Sequence, residues 1–146
     1  LVCVMWVGID DLYPKFGTAG TAWNPHAQFG ENSGLAWMFI IVRLAGSSLV
    51  VPPLEEVFYR SFLYRWLVRT DFQGMPFAQF HGLSFVVTSV LFAATHYQWL
   101  SAILCGMAYQ WLVLRKNRIG DAMTAHGITN FLLGIWVVCK GAWQFW

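Results

Sequence analysis

Three short patterns in this chain carry the residue types that hydrolytic chemistry needs. Glu55 and Glu56 stand side by side with Arg60 four residues beyond the second; His96 follows Phe92 by four; His126 precedes Asn130 by four. A carboxylate can take a proton from water, an imidazole can hold or polarise that water, and amide or imidazole N–H groups can stabilise an oxyanion. Helical residues four apart share a face. Glu56 and Arg60 are therefore expected to pair along one helix. Glu55, rotated about 100° from its neighbour, is left to face a cavity. His126 and Asn130 share a face of another helix.

Each pattern also has an ordinary reading. Glutamates suit a helix N-terminus and a histidine suits a C-terminus, because the dipole favours those charges there. A His–Asn pair can join helices within a membrane bundle by hydrogen bonds. The setting weighs against these readings taken jointly. Residues 49–54 and 61–64, which flank the glutamates, are almost wholly apolar, and ionised groups in such segments are costly unless paired or used. A free Glu, two His and an amide on three apolar segments form a sufficient kit for activating water and holding an oxyanion.

The elements that must position these groups are read from composition and hydropathy. The 146 residues are 58% hydrophobic and 18% aromatic, with nine tryptophans and only 11% charged residues, against roughly 25% charged in an average soluble domain. Mean hydropathy is +0.52. A lipid environment follows, and a net charge of +2 is too small to point to nucleic acid. Cys3, Cys105 and Cys139 have no metal-ligand or redox spacing and read as small hydrophobes.

The expected fold is all-α: a multi-pass transmembrane bundle of about five to six helices around a central polar cavity. Residues 1–9 read as the end of a hydrophobic helix that begins upstream, and 10–34 as an extramembrane loop; together they form a leading segment, with the core at 35–146. Within the core, 35–51 is a hydrophobic helix. Pro52 and Pro53 are expected to kink it or start a new one, 54–69. Further helices are expected over 83–96, 99–114 and 120–138, several of them short for a ~30 Å hydrocarbon core. Asp121 is expected to cap the last. The loop after Arg69 and the basic turn at Arg115, Lys116 and Arg118 fall on one side, cytoplasmic by the positive-inside rule. His26 and His81 read as solvated loop residues. Arg43 reads as pairing with a buried acid or reaching an interface.

Glu-Glu-x-x-x-Arg at 55–60, Phe-x-x-x-His at 92–96 and His-x-x-x-Asn at 126–130, in that order on successive hydrophobic helices, resemble the CPBP family of intramembrane proteases. This family comprises the CAAX-processing (Rce1-like) proteases and related bacteriocin-processing or immunity proteins, also called Abi. The resemblance covers about residues 42–138. The Pro-Pro-Leu-Glu-Glu start, the Trp-rich tail and the loop near 69–80 look most like bacterial CAAX-protease-related proteins that accompany exosortase systems. Tyr59 and Ser61 stand where the family often has Phe and Gly.

The resemblance implies an integral, multi-pass protein, of a bacterial inner membrane, cleaving a membrane-associated protein or peptide. It implies Glu55 as the base, His96 holding the water, His126 and Asn130 stabilising the oxyanion, and Glu56 with Arg60 supporting the site. No cofactor is required by that mechanism. The resemblance leaves room for Zn²⁺ on Glu55, His96 and His126, although Asn130 is a poor zinc ligand. A non-catalytic membrane immunity or scaffold protein, and a transporter or proton relay, are the rival expectations.

Overall fold

The computed structural model describes residues 2–15, 22–31 and 33–146. Among these residues the chain is helical with no strand, as the composition predicts. Six helices follow in order: α1 (Val2–Gly8), α2 (Pro25–Phe29), α3 (Gly34–Val68), α4 (Gly82–Ala93), α5 (Trp99–Lys116) and α6 (Gly120–Lys140). Short 3₁₀ turns occupy Asp10–Leu12 and Trp143–Phe145. The expected loop over 10–34 is thus partly helical. Asn24 caps α2 by accepting from the backbone N–H of His26 at 3.0 Å, with Pro25 in the first turn where its missing N–H costs nothing. Residues 16–21 and 32 of that expected loop lie outside the described residues, as does Leu1.

An α-helical stretch restarts at Val51 with Pro52 and Pro53 in its first turn, as one of the two expectations has it, but the chain does not leave the helix there. α3 runs unbroken for 35 residues. Two π-helical stretches, Gly46–Val50 and Val57–Leu63, lie within it. The first makes the prolines tolerable. Val51 N–H bonds the carbonyl of Gly46 rather than that of Ser47. Since neither proline has an N–H, the carbonyl of Ser48 has no donor at i+4 or i+5. The freed carbonyls of Ser47 and Ser48 face α6, which lies against them. Asn130 Nδ2 donates to Ser47 O at 2.9 Å. Gly127 approaches Ser48 O so closely that a Cβ there would lie 2.7 Å from it. In lipid such carbonyls need a partner inside the protein, and small residues permit close helix packing.

α4 and α5 form a tight pair joined by residues 94–98. Their contact centres on Gly106, where a Cβ would lie 3.2 Å from Ser89 Cα. The core between α3, α4, α5 and α6 is built from Tyr59, Phe92, Ala93, Ala102, Cys105, Tyr109, Val113 and Ala122, with Met5 and Trp6 of α1 closing over it. The distribution of polarity is inverted relative to a water-soluble domain. Glu56, Arg60 and Gln110 are buried, while Ile41, Val42, Leu49, Leu54 and Ile128 face outward. Outside a membrane such a surface would be a large exposed apolar patch. α3 and α6 are long and apolar enough to cross one. At 1.5 Å per residue the 21 residues of α6 reach about 31 Å, close to the ~30 Å hydrocarbon core.

The loop of residues 69–81 is held from beneath. Arg65 Nη2 donates to the carbonyls of Phe72, Gln73 and Met75 at 2.6, 3.0 and 2.7 Å. Tyr64 Oη donates to Gln79 O and accepts from His81 N–H. At the same end Ala78 N–H donates to Asn117 Oδ1 at 2.9 Å, so this loop and the basic turn meet, as their expected common side requires. Asp121 does not cap α6, whose N-cap is Ile119 without a side-chain bond. The carboxylate instead pairs with Arg118, which lies three residues earlier and reaches it first.

Candidate active site

Glu56 sits at the centre of the bundle with no exposed surface. Its Oε2 lies 3.1 Å from Arg60 Nε, one turn along α3, as the four-residue spacing predicts. Its Oε1 lies 3.0 Å from His126 Nδ1 on α6. Arg60 is equally buried; its Nη2 donates to Gly106 O at 3.1 Å, and its guanidinium lies 4.8 Å from the centre of the Phe92 ring. One acid and one base thereby link α3, α5 and α6. A buried charge left alone in this position would be strongly unfavourable.

Because a carboxylate only accepts, the contact with Glu56 fixes the proton of His126 on Nδ1. The ring is held flat against Tyr109, with centroids 4.8 Å apart and planes at 19°, and Phe92 meets it edge-on at 5.9 Å. Nε2 is thereby directed to Glu55, whose Oε2 is 3.7 Å away. That separation is too long for a direct hydrogen bond. Glu55 keeps 24% of its side chain exposed, and its Oε2 has no hydrogen-bond partner. The adjacent glutamates therefore differ as helical geometry predicts: one is consumed by an ion pair and a histidine, the other is open.

His96 is not on a helix, contrary to expectation. α4 ends at Ala93, and His96 lies in the link to α5. Its Nδ1 faces the carbonyl of Phe92 at 2.8 Å, so Nδ1 carries the proton and Nε2 is the free acceptor. The ring lies among Phe92 and Trp6, 4.7 and 5.9 Å away. Asn130 commits one amide hydrogen to Ser47 O and keeps the other.

Glu55, His96, His126 and Asn130 all line one cavity of about 440 Å³. Tyr109, Ser47 and Arg43 line it too. Tyr109 escaped the sequence reading because a tyrosine in an apolar helix looks like ordinary core. Arg43 does not have the acid partner that was one of its two expectations. All seven acidic residues lie among the described ones, and none pairs with it. It lies over the rings of Trp23 and Trp146, 5.8 and 5.6 Å from their centres. His26 is only partly exposed, with Nδ1 buried; Trp37 and Trp143 flank its ring at 5.4 and 5.9 Å. His81 is exposed and caps α4 through Ser84.

Among the described residues no three His, Cys, Asp or Glu side chains are arranged to hold a metal ion. Glu56 is shared between Arg60 and His126, while His96 and His126 each hold Nδ1 against an oxygen acceptor, the carbonyl of Phe92 and the carboxylate of Glu56.

The family model described as type II CAAX prenyl endopeptidase Rce1-like matches residues 35–132. No curated protein and no solved structure matches the chain. The match spans α3 to most of α6 and includes Glu55, Glu56, Arg60, His96, His126 and Asn130. The chain therefore belongs to the Rce1-like type II CAAX prenyl endopeptidases, a family of membrane-embedded proteases.

Proposed function

We propose that this chain hydrolyses a peptide bond of a membrane-associated protein or peptide with a water activated by Glu55. The observation that carries the reading is Glu55, which lines the cavity with its Oε2 buried, without a hydrogen-bond partner and 3.7 Å from His126 Nε2, while its neighbour Glu56 is paired with Arg60 and His126. Glu55 takes a proton from the water, whose oxygen attacks the carbonyl carbon. The resulting oxyanion accepts from the second amide hydrogen of Asn130 and from Nε2–H of His126 in its imidazolium form. Glu56 is the counter-ion of that imidazolium, and Arg60 balances Glu56. As the C–N bond breaks, Glu55 returns the proton to the leaving amine. His96 offers its free Nε2 as an acceptor for the attacking water.

No step requires a metal, and the bundle crosses the membrane several times with the 69–81 loop on the cytoplasmic side. The test uses protein reconstituted in nanodiscs with a set of membrane-associated peptides. Mass spectrometry should find paired new N- and C-termini that are absent with Glu55→Gln. Wild-type protein that creates no new terminus while binding those peptides would favour a non-catalytic scaffold.

A further inference from the structure

Tyr109 lines the cavity from α5, which carries none of the three sequence patterns. It is 3% exposed and its ring lies on the His126 imidazole. Stacking needs only the ring. A phenylalanine would supply it without placing a hydroxyl in an apolar bundle, where an unpaired hydroxyl is costly. The Tyr109 hydroxyl has a partner: it shares a side-chain hydrogen bond with Thr129, which is itself buried and lines the same cavity. The Thr129 hydroxyl has one hydrogen and gives it to the carbonyl of Ala125 at 2.8 Å, so it accepts from Tyr109. The chain from Tyr109 through Thr129 to Ala125 thus ends on the α6 backbone one residue before His126. Thr129 stands three residues beyond His126, on the same face of α6. Tyr109 is therefore fastened at its tip to the helix whose imidazole it covers.

We infer that Tyr109 is a positioning residue for His126, and that Thr129 sets the angle of the tyrosine ring; this rests on the endopeptidase reading above. The imidazole has one tether in its own plane, the contact of Nδ1 with Glu56 Oε1 at 3.0 Å. One hydrogen bond fixes a point and leaves the ring free to tilt about it. A tilt moves Nε2, on the far side of the ring, more than it moves Nδ1. Phe92 meets the imidazole with an edge at 5.9 Å, which does not define a plane. The face of Tyr109, at 19° to the imidazole, does. Nε2 then stays directed into the space beside Glu55, 3.7 Å from its Oε2, where the oxyanion forms. A donor placed before the reaction stabilises the oxyanion far better than one that must rotate in during it. The Tyr109 hydroxyl is spent on Thr129, so Tyr109 acts through His126 and not on the peptide itself.

The test measures cleavage of a membrane-associated peptide by protein in nanodiscs, with kcat and KM separated, for Tyr109→Leu, Tyr109→Phe, Thr129→Val and the Tyr109→Phe/Thr129→Val double variant. Tyr109→Leu removes both the plane and the tether and should lower kcat by roughly ten- to a hundredfold with KM little changed. Tyr109→Phe keeps the ring and should lower kcat by only roughly three- to tenfold, the range for one neutral hydrogen bond. Thr129→Val should match it, and the double variant should be no worse than either single one, because all three remove the same contact. A second readout does not depend on cleavage. The Nδ1–H proton of His126, observed by NMR with isotope-labelled histidine and assigned by its loss in His126→Gln, should be sharp in the unsubstituted protein and in Tyr109→Phe, and broadened in Tyr109→Leu. A His126 signal unchanged by Tyr109→Leu overturns the proposal, as does an unchanged kcat in that variant. A double variant whose loss is the product of the two single losses also overturns it. Should Tyr109→Leu fail to fold, a kcat in Tyr109→Phe equal to that of the unsubstituted protein overturns it alone. Failure of the catalytic reading is separate: it appears as cleavage surviving Glu55→Gln, whatever the His126 signal.

Discussion

The side-chain amide of Asn130 donates to the backbone carbonyl of Ser47 at 2.9 Å, and that carbonyl is available because the helix around it is wound as a π turn ahead of two prolines. The irregularity of α3 and the placement of Asn130 are one feature. The prolines withhold two N–H groups, the helix widens, and α6 meets the carbonyls left over with an amide at Asn130 and a bare Cα at Gly127. One hydrogen of the Asn130 amide locks its orientation, and the other is presented to the cavity.

Gly127 and Gly134 should respond differently to alanine. A Cβ at Gly127 meets the backbone oxygen of Ser48 at 2.7 Å, which cannot move without unwinding α3. A Cβ at Gly134 meets only the tip of the Leu44 side chain, which can rotate. Gly127→Ala should destabilise the protein by about 1–3 kcal/mol and depress activity by displacing Asn130, while Gly134→Ala should be milder in both. Unfolding in detergent and turnover on the same samples compare them.

Asn130→Ala should lower kcat by roughly 10²-fold or more with KM little changed, the signature of a donor used on the transition state. A loss confined to KM would make the residue a binding and packing group instead.

Removing one member of the Glu56–Arg60 pair should be more damaging to the fold than removing Glu55. Arg60→Met leaves a fully buried carboxylate without its cation and should destabilise by about 3–5 kcal/mol. Glu55, with a quarter of its side chain exposed, should tolerate Gln with a much smaller shift in Tm. Thermal unfolding of the purified proteins gives the comparison.

Arg65→Met should free the 69–81 loop. Three backbone carbonyls lose their common donor, at about 1–3 kcal/mol for the buried one at Met75 and less for the two that water can reach. Limited proteolysis should cut this loop several-fold faster than in the wild type, while the α5–α6 half of the molecule stays resistant.

The sequence made some of this legible and concealed the rest for definite reasons. The divergence of Glu55 from Glu56 follows from helical periodicity, and the Glu56–Arg60 pair forms at its four-residue spacing although Arg60 lies inside the π stretch Val57–Leu63. The continuity of α3 was hidden, because prolines ordinarily end a helix and nothing in one sequence signals a compensating π turn. The end of α4 was placed three residues late, since Ala94 and Thr95 do not oppose a helix. Asp121 was read as a cap from its position, but Arg118 lay closer. Arg43 was read as pairing with an acid or reaching an interface, and its contacts with Trp23 and Trp146 were hidden because those rings are remote in sequence.

If the reaction runs on a carboxylate-activated water alone, metal chelators should leave it intact. Cleavage should persist after dialysis against a strong zinc chelator, with well under one metal ion per chain by elemental analysis. Loss of activity on chelation and recovery with Zn²⁺ would contradict the metal-free reading and assign Glu55, His96 and His126 as metal ligands.

The most direct measurement of the central claim is the cleavage rate of Glu55→Gln in nanodiscs, taken beside its peptide affinity. With Glu55 as the base, cleavage should fall to background, a loss of roughly 10²-fold or more, while folding and peptide binding stay near wild type. Cleavage at a rate within a few-fold of wild type would contradict the account.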